Sequence, residues 1–492
     1  MRKIMSNKKH LKILIIPLDD RPVSYDLPKN TASFIRGTEI FIPPKSMLGS
    51  LTKTADTDAI LNWIKDTIDN NQIDVILLSL DTIAYGGLIP SRRIVLGFDE
   101  IKSRIDKCTS IFENLAYTPK VYAFSSIMRI SNNNINEEEK TYWDKYGEKI
   151  FKYSYLTHKM VSDYDHIIEN ELVELAQTIP FEVVEDYLNT RKRNFEINLY
   201  YLELAQKSLF DYLVFSQDDT AQYGFNVEEK DLLNKQIQSY NLQNVQIKTG
   251  ADEIITALLS RAVVEFYGKE KIKICPVFFN EEAKKIISRY EDIDIETSVK
   301  SQIEICGGKA VCENYDLTLV VNAPGKIQDD ICLGILEDTL EHNQADLLAG
   351  YLAGNANKTM IADIKNANGA DNYLIDKLFG LGHIDLYGYS AWNTTGNTLG
   401  SLIAMGIVRF LAEKIDLFDR EKFDEMMITR FLDDWAYQAN VRAIIRQENN
   451  PDAVDGEMLP FEQRLASFLN FNKKVSYSFP WNRIFEIEVV LD

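Results

Sequence analysis

Two adjacent carboxyls, Asp218 and Asp219, follow the apolar run Tyr212 to Phe215 and the pair Ser216-Gln217, with Thr220 and Tyr223-Gly224 just beyond. Neighbours in a regular strand point to opposite faces. At a strand end, where the backbone turns, both can face one pocket. Carboxyls in unlike environments can divide acid and base work, one held protonated while the other stays ionised. Glycosidic cleavage usually needs such a pair flanking one bond, so both are candidate catalytic residues. The structural alternative is an acidic turn with one aspartate capping a helix.

Further clusters could hold a substrate beside that pair. In Asp19-Asp20-Arg21-Pro22, Arg21 can grip an aspartate or a substrate oxygen through two parallel hydrogen bonds, and the proline stiffens the turn. Asp81 precedes Tyr85-Gly86-Gly87 and Ser91-Arg92-Arg93. The glycine pair permits close approach of a ligand, and Arg92 is the expected binder. No Gly-Lys-Ser/Thr follows, so this is not a phosphate loop. Arg129 closes Ser125-Ser126-Ile127-Met128. Asp363 leads into Asn366 and Asn368, and Leu386 to Ala391 leads into Trp392-Asn393-Thr394. Amides offer donor and acceptor together, as hydroxyls and acetamido groups require, and Trp392 could be a sugar platform. Asp371, and Asp252 in Gly250-Ala251-Asp252-Glu253, read instead as helix caps, with Glu253 suited to the first-turn dipole.

Most of these residues share one context: a short apolar run that stops at acids, amides or an arginine. Such runs read as buried parallel strands, and in parallel α/β folds ligands sit at the carboxyl ends of the strands. Strands are expected over 12–18, 39–43, 74–80, 120–126, 211–217, 245–249, 272–279, 316–322, 359–364 and 385–391, alternating with helices. About eight to ten such units suggest a β/α barrel; the alternative is an open doubly wound sheet, or two smaller ones. Residues 10–405 are expected to form this domain, with a helical insertion at about 127–210 over the mouth of the site. Residues 406–492 are expected to form a small helical and β subdomain.

The formal net charge is −20. A chain this acidic repels a phosphate backbone and an anionic bilayer, so neither nucleic acid nor membrane is an expected partner. The five cysteines (Cys108, Cys275, Cys306, Cys312, Cys332) include no Cys-x-x-Cys, and the five histidines no His-x-x-x-His, so a zinc motif is absent from the sequence. The basic start gives way to only about six apolar residues before Asp19, too short for a signal core. A cytoplasmic protein with reduced thiols is therefore expected.

The phrases Pro-Leu-Asp-Asp-Arg-Pro-Val at 17–23, Tyr-Gly-Gly-Leu at 85–88 with Ser-Arg at 91–92, Gln-Asp-Asp-Thr at 217–220, Gly-Ala-Asp-Glu at 250–253, Asn-Gly-Ala-Asp at 368–371 and Trp-Asn-Thr at 392–394 together resemble the bacterial domain-of-unknown-function 4127 family. That likeness covers nearly the whole chain and implies no activity. The Asp218-Asp219 pair is also similar to the acid pair of substrate-assisted N-acetylhexosaminidases, which are barrel enzymes. That resemblance implies that Asp218 orients a 2-acetamido group and that Asp219 protonates the leaving oxygen.

The expectation is a glycoside hydrolase acting on a small soluble saccharide, possibly an N-acetylhexosaminide, without a cofactor. One rival is a phosphate-ester hydrolase holding Mg or Mn through Asp19, Asp81, Asp218 and Asp363. Another is a non-catalytic carbohydrate-binding protein.

Overall fold

The computed structural model describes residues 10–218, 220–268, 270–337 and 343–492. Its strands are β1 Lys12–Ile16, β2 Glu39–Phe41, β3 Val75–Ser79, β4 Lys120–Ile127, β5 Tyr212–Gln217, β6 Val245–Thr249, β7 Ile272–Phe278, β8 Gly308–Ala310, β9 Leu317–Asn322, β10 Asp329–Asp330, β11 Thr359–Asp363, β12 Asn366–Ala367, β13 Gly388–Ser390, β14 Val475–Ser478 and β15 Glu488–Leu491. The first six pair in the order β2-β1-β3-β4-β5-β6, and a second sheet runs β13-β11-β9-β7-β8. Every pairing within these two sheets is parallel. β10 and β12 form a short parallel pair, and β14 and β15 an antiparallel hairpin.

The fold is therefore mixed α/β with two open parallel sheets, and the single closed barrel of the first expectation does not form. The reason lies in two helices. Ile254–Tyr267 is buried at every position from Ile254 to Val264, and Thr395–Lys414 at every position from Thr395 to Ala412. A helix apolar all round must be covered all round. These two pack along each other and lie between the sheets, so the strands divide into two layers instead of closing on themselves.

Alternation along the strands feeds both faces of the first sheet. Ile13, Ile15, Leu77, Phe124 and Val214 join the core that contains the two central helices and the second sheet. Leu14, Ile16, Leu78, Ala123 and Phe215 face a second core, shared with the helices Thr57–Asn70, Phe98–Glu113 and Phe181–Gln206. The fully buried patterns of β3, β9 and β11 explain why they read as unbroken apolar runs.

Between β4 and β5 the chain forms the helices Trp143–Ser162, His166–Ala176 and Phe181–Gln206. Residue 405, where a boundary was expected, lies within the helix Thr395–Lys414. Beyond it, Phe431, Leu432, Trp435 and Met458 belong to the same core as the second sheet. All five cysteines are unpaired. Among the described residues no helix is long and apolar enough to cross a membrane.

Candidate functional site

The turn after β1 sets the first piece. Arg21 donates to Asp19 Oδ2 from Nη2 at 2.7 Å and from Nε at 2.9 Å, and its Nη2 reaches Asp252 Oδ1 at 2.6 Å. Its Nη1 lies 3.6 Å from Glu486 Oε1. Burial opposes the charge on Arg21, but Asp19, Asp252 and Glu486 outweigh it and hold the guanidinium firmly protonated. Burial raises Asp252 despite Arg21, with further contributions from the Asp19 and Asp218 charges. Burial also pushes Glu486 up to about 8, against the pull of Arg21 and with the help of Asp252, Asp19 and Asp433.

The second piece stands at the ends of β4 and β5. Arg92 Nη2 and Arg129 Nη1 each lie 3.6 Å from Asp218 Oδ2. Both arginines also meet Glu138 and Glu139, with Arg129 Nη2 at 2.8 Å from Glu138 Oε2 and Nε at 3.3 Å from Glu139 Oε1. Burial alone would raise Glu138, but Arg129, Arg92 and Arg483 hold it well below the usual carboxylate range.

The C-terminal segment joins the two pieces. Trp481 Nε1 donates to Asp20 Oδ1 at 2.7 Å. The indole centroid is 5.0 Å from the guanidinium carbon of Arg21 and 5.0 Å from that of Arg483. Arg483 then reaches Glu138 Oε1 at 2.7 Å. Contacts therefore run from Asp252 through Arg21, Trp481, Arg483, Glu138 and the Arg92–Arg129 pair to Asp218, and the charge of Asp218 in turn acts on Asp252, so that these residues form an electrostatic ring over the carboxyl edge of the first sheet. Its inner members are buried, whereas the Asp218 and Glu138 side chains are 22% and 23% exposed. The ring thus presents a carboxylate face to solvent.

Residues 13–490 match the family model DUF4127, described as a protein of unknown function. The chain belongs to the DUF4127 family. No curated protein matches it. All ring residues, from Arg21 to Glu486, fall inside the DUF4127 match.

The other residues singled out in the sequence lie apart from the ring or beneath it. Asp81 is buried, accepting from Ser126 N at 2.9 Å and from Ser125 Oγ at 3.3 Å. Burial raises it to about 6, although these hydrogen bonds and the Arg92 charge oppose the shift. Tyr85 is buried below the same edge. Asp363, expected in the same pocket, is instead fully buried at the second sheet, where it accepts from Asn322 Nδ2 (2.8 Å), Asp371 N (2.8 Å) and Tyr389 OH (3.0 Å). Trp392, expected as a sugar platform, is 2% exposed and belongs to the core. Asn366 sits in the short strand paired with β10, and Asn368 Nδ2 donates to Asp330 Oδ2 at 2.8 Å. Asn393 lies beside Asn368, its carbonyl accepting Asn368 N at 2.8 Å. Asp219 lies outside the described residues.

Several ring members carry no sequence signal of their own. Asp252 has the pattern of a helix cap, but the helix begins at Ile254 without a side-chain cap bond and Asp252 turns to Arg21. Glu138 and Glu139 come from the insertion, and Trp481, Arg483 and Glu486 from the tail. Among the described residues no three His, Cys, Asp or Glu side chains are arranged to hold a metal ion. Asp19, Asp81, Asp218 and Asp363 each engage separate partners.

Proposed function

We propose that the chain is a hydrolase of a small, neutral, hydroxyl-rich molecule, with a glycosidic bond as its target, cut at the Asp218 ring. One observation carries this reading: a partly exposed carboxyl, Asp218, lies within electrostatic reach of a buried one, Asp252, whose proton affinity burial raises. Two carboxyls in unlike environments are what acid and base roles at one bond require. In this reading Asp218, facing Arg92 and Arg129, stabilises charge at the sugar or orients an acetamido group. Asp252, whose proton affinity burial raises, is the acid of that pair, and Asp219, next to Asp218 in the sequence, is the second candidate proton donor.

The charge of the ring favours a neutral ligand over an anionic one. Asp19, Asp218, Asp252, Glu138, Glu139 and Glu486 face the guanidiniums of Arg21, Arg92, Arg129 and Arg483. A phosphate would have to displace carboxylates already seated on those arginines. A hydroxyl can donate to the same carboxylates without displacing anything.

A panel of aryl glycosides, N-acetylhexosaminides included, tests the proposal. The intact protein should turn over at least one, EDTA should leave the rate unchanged, and Asp218→Asn should abolish most of it. Tight saccharide binding without turnover would favour a binding protein. Activity lost to EDTA and restored by Mg or Mn would favour the metal hydrolase.

A further inference from the structure

Tyr290 stands at the edge of the Asp218 turn, on the segment after β7. Its carbonyl accepts Thr220 N at 3.4 Å, two residues beyond Asp218. Its hydroxyl donates to Asp330 Oδ2 at 2.8 Å, the same oxygen that receives Asn368 Nδ2. The residues on either side are also fixed. Arg289 donates to Gln328 from its backbone and its side chain, and Glu291 Oε1 accepts Gly396 N at 2.6 Å. Tyr290 itself is left-handed, at φ 68°, a conformation unfavourable for a bulky side chain. Its backbone carbonyl and its hydroxyl are each held by a hydrogen bond, yet the residue is 37% exposed. Backbone strain that the surroundings over-determine is a pointer to function. A rigid aromatic presented beside a hydroxyl-binding turn supplies what a pyranose ring needs, an apolar face with polar groups at its rim.

We infer that Tyr290 is the stacking platform for the sugar ring bound at Asp218, with Asn368 at its rim and the buried Asp330 anchoring both, so that the substrate is a pyranoside lying across the carboxyl edges of both sheets. This rests on the reading of the Asp218 ring as the substrate site. It also moves the aromatic face of that site from Trp392, which is buried, to the other side of the turn.

The test measures binding of a panel of unreactive methyl glycosides by saturation-transfer NMR and calorimetry, using the full chain. Tyr290→Asn removes the ring with a residue that accepts the left-handed backbone, so the fold should survive, as a melting curve will check. Tyr290→Phe and Tyr290→Trp keep a ring. If the platform is correct, at least one glycoside binds the intact protein, Tyr290→Asn weakens it by about tenfold or more, and the Phe and Trp variants retain most of the affinity. Equal affinity in Tyr290→Asn overturns the platform. So does equal weakening in Tyr290→Phe, since the hydroxyl rather than the ring would then matter. Failure of the intact protein to bind any methyl glycoside overturns it as well. The Asp218 reading is judged separately, by turnover of aryl glycosides in Asp218→Asn, so the platform can fail while that reading stands.

Discussion

The carboxyl edges of the two sheets begin from the same sequence device, an apolar run that stops at an acid, and arrive at opposite ends. At the second sheet, Asp363 is enclosed by an amide, a backbone N–H and a phenol, and Asp434 by Ala391 N (2.6 Å), Ser390 Oγ (3.1 Å) and Arg430 (3.0 Å). Both are fully buried, and burial raises each to about 7. At the first sheet, the acids are met by arginines from the turns after β1 and β3, from the insertion and from the tail, and Asp218 and Glu138 keep a face open to solvent. The strand end is thus a necessary condition for a site and not a sufficient one. The open face distinguishes the ring from the sealed network.

If the second edge is structural, its acids should matter most to stability. Asp363→Ala leaves three buried donors without an acceptor, at about 1–3 kcal/mol each. Urea unfolding should show a loss on the order of 3 kcal/mol or more, the largest effect expected of any single change here. A loss below about 1 kcal/mol would erase the contrast between the two edges.

A pH series sharpens the comparison through the groups lying between the edges. Glu253 is fully buried, accepts from Gln302 Nε2 at 3.0 Å, and is raised by burial to about 8. It sits over Gly250, where an added Cβ would come within 2.0 Å of Glu253 Oε1. A carboxyl raised in the folded state favours folding below its unfolded pKa, and that contribution is lost as pH rises through about 8. Stability should therefore fall between pH 5 and pH 9, at about 1.4 kcal/mol for each tenfold change in proton affinity. Glu253→Gln should make the fall shallower, the remainder coming from Glu486, Asp363 and Asp434, and should gain on the parent above pH 8, as melting temperatures across the range will show. A flat parent curve would mean that Glu253 is not held protonated.

The smallest stability effect belongs to the ring itself. Arg483 is partly exposed, so Arg483→Ala should cost about 1 kcal/mol or less in a melt. It should nevertheless weaken saccharide binding, because Trp481 and Glu138 lose the group that joins them. Unchanged binding would show that the tail does not complete the site.

Much of the fold was legible because its strands are buried on both faces and so read as apolar runs. β8, β10 and β12 were not, since two or three residues make no pattern. Alternating strands and helices cannot tell one barrel from two open sheets. The deciding feature was the pair of central helices, buried on every side. Of the site, the Asp19–Arg21 turn, Arg92, Arg129 and Asp218 were legible from their place at strand ends. Asp252 was hidden behind a capping pattern. Glu138, Arg483 and Glu486 look like solvated charges until long-range packing pairs Glu138 with Arg483 and buries Glu486. Asp363 and Trp392 show the converse, since residue type and spacing do not reveal whether a strand end is sealed.

The most direct test of the central claim is the rate on the aryl-glycoside panel for the intact protein and for Asp218→Asn, compared at matched melting temperatures. The ring account predicts turnover by the intact protein and a loss of roughly 10²–10⁴ in Asp218→Asn, with the fold unchanged. No turnover of any glycoside by the folded intact protein, or full activity in Asp218→Asn, would contradict it.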